Sequence, residues 1–187
     1  MRSRLREMPD LATTYPKPHQ HSGFPDHLLR VSATQALGRW MVRDLGEFTA
    51  VDLSCGDGMI ARSLGAHHVT LGDYANADYI DMIMPIEQSL TWLTGSPKFD
   101  IFINCETLEH VDDPDAVLRG IREVTDRLLL STPIDGWDDT NYEHVWAWDK
   151  DEIDYMLDRA GFTPYVYMNV DPRSDRFPYS WGIWGAM

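Results

Sequence analysis

Val51-Asp52-Leu53-Ser54-Cys55-Gly56-Asp57-Gly58 is a short apolar strand running into a glycine turn, and its reading decides the fold. Glycines at 56 and 58 let the backbone pass close to a bound group and turn sharply into a helix, expected over residues 59–64, whose first amides stay free. The turn completes Gly-x-Gly-x-x-Gly only in part, because position 61 is Ala and position 54 is Ser rather than Gly. That argues against a nicotinamide dehydrogenase. A second acid, Asp73, ends the next strand about 20 residues beyond Asp52, where a carboxylate accepts hydrogen bonds from both hydroxyls of a ribose.

Outward from this turn, strand and helix signals alternate. Strands are predicted over 50–53, 68–72, 79–80, 99–104, 128–130, 165–168 and 181–184, with helices over 86–93 and 149–160 and a further one starting at Asp113-Pro114. Upstream, Asp26 is expected to cap a helix reaching residue 45, with Leu28, Leu29, Ala33, Ala36, Leu37, Trp40 and Met41 as its apolar stripe. Residues 1–25, rich in Pro and His without a sustained period, are expected to form an extended arm. The pattern predicts an α/β fold: a Rossmann-like, doubly wound, mostly parallel seven-stranded sheet with helices on both faces. We divide it into an arm and helix over 1–47, expected to cover the pocket, and a ligand-binding domain over 48–187. In such sheets ligands sit beyond the carboxyl ends of the strands, so a functional residue should follow a strand.

With 187 residues, 43% hydrophobic and 25% charged, the chain is the size of one globular domain. No apolar run approaches the roughly 20 residues of a membrane-spanning helix, and the N-terminus leads into no signal-peptide core, so a cytoplasmic protein is expected. Cys55 and Cys105 are expected to be free thiols. The net charge is −14, and residues 100–160 hold seventeen acids against five bases, or −12 of it. Such a surface repels a phosphate backbone, which favours a small-molecule partner over nucleic acid.

The run from Val51 to Gly58, Asp73, the segment Asp81-Met82-Ile83-Met84-Pro85, and Phe99-Asp100-Ile101-Phe102-Ile103-Asn104-Cys105-Glu106-Thr107-Leu108-Glu109-His110-Val111 together resemble the class I S-adenosylmethionine-dependent methyltransferases. The resemblance spans roughly residues 48–163. It implies that residues 52–58, with Asp52, Ser54, Cys55, Gly56 and Gly58, hold the methionine part of S-adenosylmethionine, Asp73 the ribose, and Asp81 with Met82 the adenine; Tyr74 and Cys105 are further cofactor-binding candidates. Arg30 on the first helix is a further candidate for cofactor contact. Ser54 departs from the family, which has glycine there.

Glu106, Glu109 and His110 are spaced i, i+3, i+4, which on a helical turn places all three on one face. His144, in the loop after the fifth strand, is a candidate fourth member. Two carboxylates and two imidazoles suit a divalent cation such as Mg, Mn or Zn. The cluster resembles the metal site of small-RNA 2′-O-methyltransferases, and its first three residues also occur in the O-methyltransferases of ubiquinone synthesis. Alternatively, His110 or His144 takes the acceptor's proton directly with no metal. A metal would favour a catechol or vicinal diol, whereas without one an amine, thiol or carboxylate is equally suited. Tyr15, His19 and Trp146 are candidate substrate contacts. The expected function is methylation of a small-molecule acceptor, at oxygen; the alternatives are an RNA 2′-O-methyltransferase and a non-catalytic S-adenosylmethionine-binding regulatory subunit.

Overall fold

A computed structural model describes residues 1–10, 16–21, 25–172 and 178–187. Strand β1 (Arg2–Arg4) and helix α1 (Pro25–Val42) come first. An alternation follows: β2 (Thr49–Asp52), α2 (Met59–Arg62), β3 (His68–Asp73), β4 (Met82–Ile83), α3 (Ile86–Leu93), β5 (Ile101–Cys105), α4 (Pro114–Val124) and β6 (Leu128–Ile134). Strand β7 (Trp146–Trp148), helix α5 (Lys150–Arg159) and the pair β8 (Pro164–Val170) and β9 (Ser180–Ala186) complete the chain.

Seven of the strands form one sheet in the order β4-β3-β2-β5-β6-β9-β8, parallel except for β9. Strands covered on both faces read as continuous apolar runs, and Ile101-Phe102-Ile103 and Leu128-Leu129-Leu130 are all fully buried. Their side chains alternate between two cores. Phe102, Leu128 and Leu130 pack with α3, α4 and α5, while Ile101, Ile103 and Leu129 pack with α1 and α2. Helix α4 forms where the sequence requires it: Asp113 accepts the Ala116 N–H at 2.9 Å, Pro114 fills the first turn, and Val117, Leu118, Ile121 and Val124 are buried. Trp181 and Trp184 are both fully buried in β9, and a Cβ on Gly182 would lie 2.2 Å from the Trp184 ring, so glycine there makes room for the indole. The connections from β2 run to β3 on one side and return to β5 on the other. The carboxyl ends of β2 and β5 therefore flank the crevice where this topology places ligands.

Three expectations are corrected. The third strand is Met82–Ile83, not 79–80, because Asp81 both donates to Leu71 O and accepts the Leu71 N–H, starting the pairing two residues later. Helix α1 ends at Val42 rather than 45. The arm is not extended throughout: Arg2–Arg4 pair antiparallel with Trp146–Trp148, a partnership that no local periodicity announces. Among the described residues, no helix is long and apolar enough to cross a membrane.

Candidate active site

The tips of β2, β3 and β5 bring the nucleotide-type residues together. Asp73, 5% exposed, accepts the Gly56 N–H at 3.0 Å on one carboxylate oxygen and the Ala75 N–H at 2.9 Å on the other. Each oxygen keeps a further lone pair. The Ser54 hydroxyl bonds Thr107 Oγ1 at 2.6 Å, tying the β2 tip to the β5 tip, a cross-link that glycine at 54 would lack. Leu53, Ser54, Tyr74, Ile86, Thr107 and Val111 line a cavity of about 280 Å³, which Met8 and Pro9 of the arm also border. That is at the small end of the roughly 300–1,000 Å³ of small-molecule sites. Burial holds the Cys55 thiol far above its usual range and pushes that of Cys105 up to about 12, so neither is a nucleophile.

The arm lies on the glycine turn. A Cβ on Gly56, whose φ is +54°, would sit 2.8 Å from the His19 carbonyl oxygen. His21 donates its N–H to Asp57 Oδ2 at 3.0 Å, and its Nδ1 meets Asp57 Oδ1 at 2.9 Å. The turn is thus covered where the sequence reading left it open to the methionine part. His19 itself is exposed, its ring 5.2 Å from that of His21. Tyr15 lies outside the described residues. Gly58 opens α2 in the left-handed region, at φ +70°.

Asp52, 3% exposed, accepts the Ser54 N–H at 3.2 Å, yet burial outweighs that bond and pushes its carboxyl up to about 8. The folded chain then holds this proton between about pH 4 and 8 while the unfolded chain has released it, so this group makes stability fall as pH rises through that window. Asp52→Asn is expected to match the wild type at pH 4 and exceed it at pH 8, by at least the roughly 1.4 kcal/mol of a single pKa unit. Urea unfolding of both proteins at the two pH values measures it.

Asp81 and Met82 are not at the crevice end of β4. Asp81 precedes the strand with one carboxylate oxygen taken by the Leu71 N–H at 2.8 Å, and Met82 is 8% exposed in the α3-side core.

A second cluster forms after β5. Glu109 is fully buried; its Oε2 accepts the Thr132 hydroxyl at 3.0 Å, and its Oε1 has no partner. Burial, then the neighbouring Glu106, hold its carboxyl well above the usual range. His110 Nδ1 lies 3.0 Å from the Glu143 carbonyl oxygen, which only accepts, so Nδ1 carries hydrogen and Nε2, 3.7 Å from Glu109 Oε1, carries the lone pair. Burial holds this imidazole neutral, pushing its pKa down to about 3. His144 Nδ1 lies 2.5 Å from Asp139 Oδ2, and the two histidine rings are 4.9 Å apart. Glu109, His110 and His144 offer one ligand atom each within 4.8 Å of one another.

Glu106 does not join them. The turn after β5 is a 3₁₀ turn over Leu108–His110, not a helical turn beginning at Glu106, and Glu106 adopts a left-handed backbone with φ +53°. Its carboxylate accepts the Ser131 hydroxyl at 3.0 Å and lies 4.0 Å from Arg30 Nε. Arg30 is fully buried, with Nε and Nη2 lacking hydrogen-bond partners. Trp146 packs against the arm: its indole donates to the Val111 carbonyl, and the Arg2 and Arg4 guanidiniums lie 5.2 and 5.3 Å from its ring centre. The sequence reading missed Asp139, Asn141, Thr107 and Thr132. The first two carried a usable signal, since Asp-x-Asn-x-Glu at 139–143 forms two consecutive Asx turns: Asp139 accepts the Asn141 N–H and Asn141 the Glu143 N–H.

This sheet order, with an acid at the tips of β2 and β3, is the fold of the class I S-adenosylmethionine-dependent methyltransferases. No family model matches the chain, and no curated protein matches it in sequence. Among solved structures it is similar to the 1,6-didemethyltoxoflavin-N1-methyltransferase of Burkholderia thailandensis, which holds 1,6-didemethyltoxoflavin and S-adenosylhomocysteine. Identity there is 18% and TM-score 0.66, over 95% of this chain and 84% of that one. The magnesium protoporphyrin IX methyltransferase of Synechocystis, with bound S-adenosylmethionine, is 21% identical with TM-score 0.61 over 86% and 79%. The [4+2]-cyclase SpnF is 16% identical with TM-score 0.63 over 81% and 79%. At these identities the likeness is one of fold, and the cyclase shows that this fold carries more than one chemistry.

Proposed function

We propose that the chain is an S-adenosylmethionine-dependent methyltransferase acting on a small-molecule acceptor at oxygen, aided by a divalent cation held by Glu109, His110 and His144. The observation that carries the metal part is the unpartnered, buried Oε1 of Glu109 beside a lone pair on His110 Nε2. Buried polar atoms are rarely left so, and each histidine here gives its other ring nitrogen to an oxygen, as metal-ligating histidines do. The N,N,O donor set fits a borderline transition ion better than magnesium. When bound, the cofactor supplies an electrophilic methyl group and the cation lowers the pKa of an acceptor hydroxyl.

The rest belongs to this chain's residues. Asp73 offers its remaining lone pairs to the two ribose hydroxyls, and Tyr74, Leu53, Ile86 and Val111 enclose the adenosine in the cavity at the β2, β3 and β5 tips. Arg30 meets the cofactor's carboxylate with its unpartnered Nε and Nη2 donors. The arm acts as a lid: Met8 and Pro9 roof the cavity, and His19 and His21, lying on Gly56, move off the turn to admit the methionine part. Holding the acceptor oxygen in line with the methyl group supplies on the order of 7–11 kcal/mol of the barrier. The acidic surface opposes an RNA acceptor.

The test has two arms. S-adenosylhomocysteine at 100 times its dissociation constant is expected to stabilise the protein by about 2.7 kcal/mol, and NAD not at all. Methyl transfer from S-adenosylmethionine to a panel of catechols and vicinal diols, dependent on added Mn²⁺ and abolished by a chelator, completes it. No stabilisation overturns the reading. Stabilisation without transfer to any acceptor makes the protein a non-catalytic binder, and transfer indifferent to the chelator removes the cation and leaves His144 as the base.

A further inference from the structure

We propose that Asp139 is a positioning residue that locks the His144 imidazole in the tautomer with hydrogen on Nδ1, so that the ring's one lone pair lies on Nε2, where it accepts from the Asn141 amide and serves the site once that amide gives way. The inference rests on the reading of His144 as a member of that site, and its first readout needs neither cofactor nor metal.

The tautomer is determined from both edges of the ring. Asp139 Oδ2, 2.5 Å from Nδ1, belongs to a carboxylate that only accepts, so Nδ1 must donate. On the opposite edge the Asn141 side-chain nitrogen lies 3.1 Å from Nε2. Its orientation is not free, because Asn141 Oδ1 accepts the Glu143 N–H at 3.2 Å and so turns the amide nitrogen toward the ring. A donor at Nε2 requires a lone pair there. Asp139 is in turn held at its other oxygen, which accepts the Asn141 N–H at 2.8 Å. The whole loop is strapped down by the N-terminus: the Arg6 guanidinium donates to the Asp139 carbonyl at 2.6 Å and to the Asn141 carbonyl, and the Leu5 N–H donates to Val145 O at 2.8 Å.

This geometry makes one substitution diagnostic. In Asp139→Asn, the Asn141 N–H still requires an acceptor at the Oδ1 position, so the new amide nitrogen takes the Oδ2 position and faces His144 Nδ1 as a donor. The imidazole answers the new donor by moving its hydrogen to Nε2, at the cost of the bond it accepts there from the Asn141 amide, which removes the Nε2 lone pair without removing any atom of the ring. A purely structural Asp139 would alter stability and leave the tautomer alone.

The experiment is a long-range ¹H–¹⁵N correlation spectrum of histidine-labelled protein, with His144 assigned by its absence in His144→Gln, followed by titration with Co²⁺ alone. In the wild type, His144 should show a protonated Nδ1 and a bare Nε2; in Asp139→Asn the two should exchange, with Co²⁺ affinity falling about 10–100-fold. Asn141→Ala, which leaves Asp139 in place, should retain hydrogen on Nδ1, and it keeps the proposal testable if Asp139→Asn fails to fold. A wild-type His144 with hydrogen on Nε2, an unchanged tautomer in Asp139→Asn, or an exchanged one in Asn141→Ala overturns the proposal. An exchange in Asp139→Asn together with no Co²⁺ binding by the wild type upholds the positioning role and removes the cation reading instead.

Discussion

Asp73→Ala is expected to weaken S-adenosylhomocysteine binding by at least about 100-fold and to destabilise the fold. Two buried backbone donors, Gly56 N–H and Ala75 N–H, lose their only side-chain acceptor in this variant. An orphaned buried donor costs about 1–3 kcal/mol, so the pair amounts to about 2–6 kcal/mol. The cofactor loses more than one hydrogen bond at once, each to a charged acceptor and worth about 1.5–3 kcal/mol, and a factor of ten in affinity corresponds to about 1.4 kcal/mol. Asp73→Asn graduates the folding cost: it keeps one acceptor oxygen and the side-chain volume, so one of the two backbone donors is orphaned rather than both, and the fold should lose about 1–3 kcal/mol while affinity still falls. Isothermal titration with S-adenosylhomocysteine and urea unfolding give both numbers. An affinity within about threefold of wild type in a folded Asp73→Ala protein would mean that the ribose does not lie at the β3 tip.

Glu109→Gln is expected to lower bound divalent metal from near one equivalent to a small fraction, with an affinity loss of about 100-fold or more, since a direct ligand counts for more than its outer partners. The replacement is nearly isosteric and can still accept the Thr132 hydroxyl, so the fold should persist. Burial already holds the Glu109 carboxyl well above its usual range, which means that the protein alone gains little from this charge. A cation at Oε1 reverses that balance. Affinity for S-adenosylhomocysteine should stay within about threefold, because Glu109 is not among the residues at the β2 and β3 tips. Metal analysis after dialysis, beside ligand titration, measures both, and equal metal content in the two proteins would sink the cation reading.

The two halves of the site differed in how legible they were. The nucleotide-type half follows from local chemistry: a buried strand, glycines that tolerate positive φ, and an acid at the next strand end define it over a few residues each, and Asp52, Gly56 and Asp73 are found together as read. The metal-type half was read from helical spacing, and there the inference failed at one member. Glu106, Glu109 and His110 share a face only on an α-helical turn; the chain makes a 3₁₀ turn from Leu108 and leaves Glu106 with Arg30 and Ser131. The choice between those turns is made by packing against β6 and β7, which short spacing does not encode.

What the sequence by itself determined is the alternation of strands and helices, the two-sided burial of β5 and β6, and the crevice at the β2–β5 switch, because periodicity and turn chemistry act over neighbouring residues. What only the tertiary structure decided is the arm. Residues 2–4 become a strand through Trp146–Trp148, Arg6 grips the loop that carries His144, and His19 comes to rest on Gly56. Those contacts join segments far apart along the chain, and their free energy exists only once the intervening fold has brought them within hydrogen-bonding distance.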